Sequence, residues 1–164
     1  MKTTEKSLSD TPPTTDHHAC VLRGKWFVKL WGPDGELKEE REGYNVITTN
    51  GKEALASLLA AGAASATTNT FKYVAIGSDS TAEAAANTAL GTELGRHTGT
   101  VSYVSNAIYQ VTATFATGSG TGGIYEYGLL NSNAGGTMLS RDTENLINKG
   151  ASDTLTVTCQ ITLS

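Results

Sequence analysis

Charge is what this chain has least of: 17% of its 164 residues are Asp, Glu, Lys or Arg, against about 25% in an ordinary soluble domain. The deficit is uneven, because from His97 to Ser140 the only formal charge is Glu126. Soluble monomers mix charges over their whole surface. This stretch therefore either supplies core strands or carries a surface that another protein covers. A basic excess is also missing, since 12 basic residues face 16 acidic ones for a net charge of −4. That balance argues against general binding to a phosphate backbone, which needs a clustered basic face. No run approaches the roughly 18–20 apolar residues of a membrane span. The longest, Ala54 to Ala64, is interrupted by Ser57 and Gly62. Residues 1–16 are polar throughout, so no secretory signal is expected. Cysteine is limited to Cys20 and Cys159, far apart and in no metal or redox spacing. Two reduced thiols are the expectation for a cytosol-made protein, with a disulfide between them the alternative.

What is abundant is threonine (25 residues) and glycine (18 residues), a composition suited to strands and tight turns. Length fits one domain on a prior of roughly 100–200 residues. Residues 1–20 read as an extended polar arm, in which Thr11-Pro12-Pro13-Thr14 favours polyproline-like backbone. Such an arm is expected to be mobile in isolation and to order only against a partner. Residues 21–164 read as a single β-rich domain, with a hairpin over 23–43, a helix over 50–62 and strands over 71–164.

In the hairpin, Trp26, Val28 and Leu30 alternate with Phe27 and Trp31, and Gly32-Pro33-Asp34-Gly35 supplies the turn. The return from Glu36 to Glu42 holds six charges and reads as a solvent-facing or edge strand. Asn50 is the expected N-cap of the helix, with Glu53 completing a capping box and Gly62 ending it. Leu55, Leu58 and Leu59 with the alanines give its apolar stripe. Phe71–Gly77, Thr100–Val104, Ala107–Ala116, Ile124–Leu130 and Thr137–Arg141 read as strands, the third of them long and bulged. Thr154–Leu163 alternates strictly, with threonine on one face. About eight strands with one early helix predict an antiparallel β-sandwich or jelly-roll-like fold.

No constellation for catalysis emerges. His17 and His18 share no metal-ligand spacing, and His97 reads as a packing or hydrogen-bonding residue rather than a base. Gly118–Gly123 lacks the Gly-Lys-Ser/Thr ending of a phosphate loop. Asp79, Glu83 and Glu93 do not follow a calcium-loop pattern. Trp26, Trp31 and Tyr44 suit a core or an interface better than a sugar platform. No catalytic, cofactor or metal residue is assigned, and a non-enzymatic protein is expected.

Three segments carry a resemblance: Tyr125-Glu126-Tyr127-Gly128-Leu129-Leu130, Gly136-Thr137-Met138-Leu139-Ser140-Arg141, and Asn148-Lys149-Gly150 running through Val157-Thr158. With Ala75-Ile76-Gly77-Ser78, Thr88 to Arg96 and Asn50-Gly51-Lys52, they resemble a family of small tailed-bacteriophage virion structural proteins over residues 45–164. Members often end on a Glu-x-Gly-Leu-Phe strand, a Leu-x-Arg strand and a Lys-x5-Leu-x-Val strand. This chain departs at Leu130, where Phe is commoner, and at Cys159, where an aromatic is usual.

The resemblance implies an accessory protein, made in the bacterial cytoplasm and assembled onto the particle as head decoration (cement), head fibre or tail-associated protein. The leading expectation is a capsid decoration protein, a homo-oligomer (dimer or trimer) that binds the major capsid protein and stabilises the head against internal DNA pressure. The alternative is a tail or fibre component for host attachment. The expected contacts are Thr11, Pro12, Pro13, Thr14, His17 and His18 in the arm. Trp26, Trp31 and Tyr44 join them from the hairpin. Neither nucleic acid nor membrane is an expected partner.

Overall fold

The computed structural model describes residues 20–61, 70–105 and 107–164. Nine strands and one helix follow in chain order: β1 (Leu22–Trp31), β2 (Leu37–Ile47), α1 (Thr49–Ala61), β3 (Tyr73–Gly77), β4 (Glu93–Thr98), β5 (Thr100–Tyr103), β6 (Ile108–Phe115), β7 (Gly122–Leu130), β8 (Met138–Lys149) and β9 (Thr154–Leu163). Every pairing is antiparallel, in the order β4-β3-β7-β8-β2-β1-β9-β6-β5. The mainly β, antiparallel fold with one short helix agrees with the expectation, with nine strands rather than eight.

The sheet curls almost into a closed surface because two strands change partners. β2 follows β1 from Leu37 to Asn45, then meets β8 only through Val46↔Arg141 and Ile47↔Ser140. Its charged part therefore behaves as the edge that its composition suggested. β4 and β5 are two halves of one strand bent at Gly99, the first half paired with β3 and the second with β6. The bend needs glycine, because a Cβ at Gly99 would lie 2.4 Å from Val111 Cγ1. Its amide donates to Lys72 O at 2.7 Å and holds the corner.

Between the layers sits one main core. Trp26, Val28 and Leu30 from β1 meet Val111 and Phe115 from β6, and Ile124, Tyr127 and Leu129 from β7. Leu155, Val157, Cys159 and Ile161 contribute the buried alternation of β9. Burial of each such side chain is worth about 1.5–3 kcal/mol. The Gly118–Gly123 loop caps one end of this core, with Gly120 at φ +59 and its Cα close enough that a Cβ would meet Ile76 Cδ1 at 2.5 Å.

Three local expectations are corrected. The helix is capped by Thr48, whose Oγ1 accepts from Gly51 N at 3.0 Å, while Asn50 lies inside the helix and Glu53 is exposed. β6 pairs with both neighbours without a register break, so it carries no bulge. Bulges fall instead at Leu30/Trp31, Ile76/Gly77 and two points in β7. β8 continues past Arg141 to Lys149, where polar Asp142–Asn145 masked its strand character. The expected C-terminal helix stop at Gly62 lies outside the described residues.

Both cysteines are free, Cys20 exposed and Cys159 fully buried. Burial pushes the Cys159 thiol well above its ordinary range.

Candidate functional site

Strand alternation decides which side chains reach solvent on the β2-β1-β9-β6-β5 half. Because Trp26, Val28 and Leu30 turn inward, Arg23, Lys25, Phe27, Lys29 and Trp31 turn outward. Register extends this face into rows. One row runs Tyr44, Lys25, Gln160, Gln110, Ser102, and the next Glu42, Phe27, Thr158, Thr112, Thr100. The result is a five-stranded surface with two chemistries. Its β1–β2 side is aromatic and charged, with Lys25–Glu42 and Lys29–Glu40 paired at 3.0 Å. Lys25 Nζ also lies 4.9 Å from the Phe27 ring centroid and 5.5 Å from that of Tyr44, within cation–π range. Its β9–β6–β5 side is uncharged and cross-linked by side chains: Thr112–Thr158 at 3.0 Å and Gln160 Nε2 donating to Gln110 Oε1 at 2.7 Å.

Of the residues expected to make contacts, Trp31 is half-buried on this face and Tyr44 is 75% exposed. Trp26 is a correction. It is 0% exposed and packs against Tyr127 with ring centroids 6.0 Å apart, so it is a core residue and no partner can reach it. Thr11, Pro12, Pro13, Thr14, His17 and His18 lie outside the described residues. Phe27, not among the expected contacts, shares the outward face with Trp31 and is half-buried there.

The lone charge of the neutral stretch, Glu126, is not on the surface at all. It is fully buried and accepts bonds from Gly91 N and Thr92 N at 2.9 Å, Asp79 N at 3.3 Å and Arg141 Nε at 3.0 Å. Arg141 Nη1 continues to Asn87 Oδ1 at 3.2 Å. Together they clamp the 78–92 connection onto β7 and β8. Asp79 and Glu93, weighed above as cation ligands, are used structurally: Asp79 Oδ1 accepts from Thr81 N, and Glu93 pairs with Arg96 at 2.6 Å. His97 Nε2 lies 2.8 Å from Ser119 Oγ, with its ring over Phe115.

A second polar cluster lies where β2 leaves β8. Asp142 is 1% exposed, and its Oδ2 finds no hydrogen-bond partner. Burial, then the Glu144 and Glu83 carboxylates, push it up to about 7. Tyr127 Oη is likewise buried without a partner, and burial raises it well above the usual phenol range. No group of three or more His, Cys, Asp or Glu side chains that could hold a metal ion occurs among the described residues. No helix among them is long and apolar enough to cross a membrane.

Comparison of the chain with protein families, with characterised proteins and with solved structures finds no match.

Proposed function

We propose that this protein is a non-enzymatic structural component of a tailed-bacteriophage particle, acting as a decoration protein on the outside of the capsid. The observation that carries the reading is the outer face of the β2-β1-β9-β6-β5 layer. Phe27, Trp31 and Tyr44 stand there beside a broad field of neutral Thr and Gln side chains. Aromatic anchors of this kind dominate protein interfaces, because they bury large area at low entropic cost. A surface poor in unpaired charge loses little solvation when covered.

The resemblance over residues 45–164 supports the same reading. The contact residues expected from Thr11 to His18 precede, in sequence, the strand that carries Phe27 and Trp31. Buried contact across joints between capsid subunits would then resist outward pressure, with hot-spot quality rather than area setting affinity. The virion, reached after synthesis in the host cytoplasm, is the site of action under this proposal.

The test is reconstitution on undecorated heads. Deleting residues 2–18, or replacing Trp31 and Tyr44 with Ala, is expected to abolish or weaken binding at least tenfold while the circular dichroism spectrum is kept. Undiminished binding by both variants defeats the assignment of these contacts. Copy number per virion, counted against the major capsid protein, separates the readings. A simple fraction of the capsid protein supports decoration, a handful of copies replaces it with a tail or fibre role, and absence from the particle rejects both.

A further inference from the structure

Among the described residues, β2 and β8 are joined only through Val46↔Arg141 and Ile47↔Ser140, and side chains fill the seam beyond. A Cβ at Gly43 would lie 2.7 Å from Asp142 Oδ2 and nearer still to Glu144 Oε1, so the two carboxylates converge over bare backbone. Asp142 is 1% exposed and its Oδ2 has no hydrogen-bond partner. Tyr127 stands directly across the ladder from Asp142, on the same face, fully buried and with an unpartnered Oη. Native proteins satisfy nearly all such groups, with water or an ion where the chain itself offers nothing.

The cations around this hollow are already committed. Arg41 is held by Glu39. Arg141 lies on the opposite face with Glu126 at 2.8 Å, and Lys38 is bonded to Asp153 at 2.9 Å. The charges that act on the Tyr127 phenol are Asp142, Glu144, Glu39 and Arg41, three carboxylates against one guanidinium. Glu83 adds a further carboxylate that acts on Asp142.

We propose that this hollow binds a hard divalent cation, Ca²⁺ or Mg²⁺, between Asp142 and Glu144, with the Tyr127 oxygen beside it and water completing the shell. The converging donors are all oxygen, which selects calcium or magnesium over softer metals. The excess of negative charge selects a divalent ion over a monovalent one. Two carboxylates are too few to hold such an ion by side chains alone, so it keeps part of its water. Trp26 Nε1 and Arg41 Nε are buried donors without partners, on the residue facing Gly43 across the ladder and on the residue two places along β2. Water in the same hollow can accept from both. Glu144 supplies the way in, because it is half-buried and also lines a recess of about 420 Å³ with Glu83, Tyr125 and Asn145. Bound there, the ion removes the repulsion between carboxylates at the seam and makes the stability of the fold depend on divalent ions. This inference does not depend on the particle assignment, and either can fail alone.

The experiment is thermal unfolding of the full chain at pH 8, stripped with chelator and then returned to CaCl₂, MgCl₂ or NaCl at equal ionic strength. A rise of several degrees with millimolar Ca²⁺ or Mg²⁺, absent with Na⁺, is expected, because an ion that binds only the folded state raises the midpoint. Titration calorimetry with the same salts is expected to give one ion per chain. Affinity should fall at least tenfold in Asp142→Asn and in Glu144→Gln, and stay unchanged in Glu53→Gln, an exposed helix carboxylate. Glu144→Gln, at a half-buried position, keeps the test decisive if Asp142→Asn does not fold. A parent indifferent to both divalent ions overturns the proposal, as does an equal response to Na⁺. So does binding that Asp142→Asn and Glu144→Gln leave intact, or that Glu53→Gln weakens as much as they do.

Discussion

Glu126 and Asp142 show how one residue type serves opposite ends in the same sheet. Glu126 has its carboxylate satisfied by three backbone amides and by Arg141, so burying its charge is compensated. Removing it strands a buried guanidinium, and Glu126→Ala is expected to cost about 3–5 kcal/mol in urea unfolding. Its sequence context flagged it as the lone charge in a neutral stretch, without indicating that it lies inside.

Asp142 is compensated far less: its Oδ2 has no partner, and only the Thr143 backbone amide favours its charged form. With its native-state pKa at about 7 against an ordinary 3.8, the folded protein holds a proton that the unfolded chain releases between those values. Stability therefore falls as pH rises through that window and levels off above it. Asp142→Asn is expected to raise the melting temperature at pH 8 by several degrees, leave it nearly unchanged at pH 4, and flatten the profile between. A parallel displacement at both pH values would contradict this.

At the scale of elements, strands were read more easily than the helix start. Period-2 alternation reports burial directly, so β1 and β9 were legible almost residue by residue. Helix capping depends on which oxygen faces the free amides, and Thr48, Thr49 and Asn50 are all competent caps by type. The contest is decided by β8: Thr48 N donates to Leu139 O at 2.9 Å, and the Thr48 hydroxyl also bonds Met138 O. Thr48→Ala is expected to cost about 1 kcal/mol or somewhat more, read from thermal unfolding. Gly51 explains the Asn-Gly-Lys signature at the helix opening, because a Cβ there would lie 2.6 Å from Leu139 Cα. Gly51→Ala should therefore destabilise the fold, although alanine is the better helix former, and a stabilised variant would refute this packing account. The outer stripe of the helix was over-read: Leu59 is 80% exposed.

Across the whole molecule, the pairings that close the sheet are distant in sequence. β1 lies between β2 and β9, and β9 in turn between β1 and β6. Such non-local topology places folding in the millisecond-to-second range. Removing Thr154–Leu163 would expose the inner faces of both neighbours, and the expected product is aggregated or unfolded chain by size exclusion and circular dichroism. A truncated chain that remains folded would show that the two layers hold without their bridge.

Sequence alone determined the β class, the hairpin turn at Gly32–Gly35, the strands with one buried face and the neutrality of the central third, since each follows from local periodicity or composition. Only the tertiary structure decided that Glu126 and Trp26 lie inside, that β4 and β5 are one bent strand, and that Thr48 caps the helix. It also decided that β5 stands last in the strand order of the described residues. The reason is physical: alternation says that a side chain is on one face or the other, but which face is inside, and which edge is last, depends on strands far away in the chain.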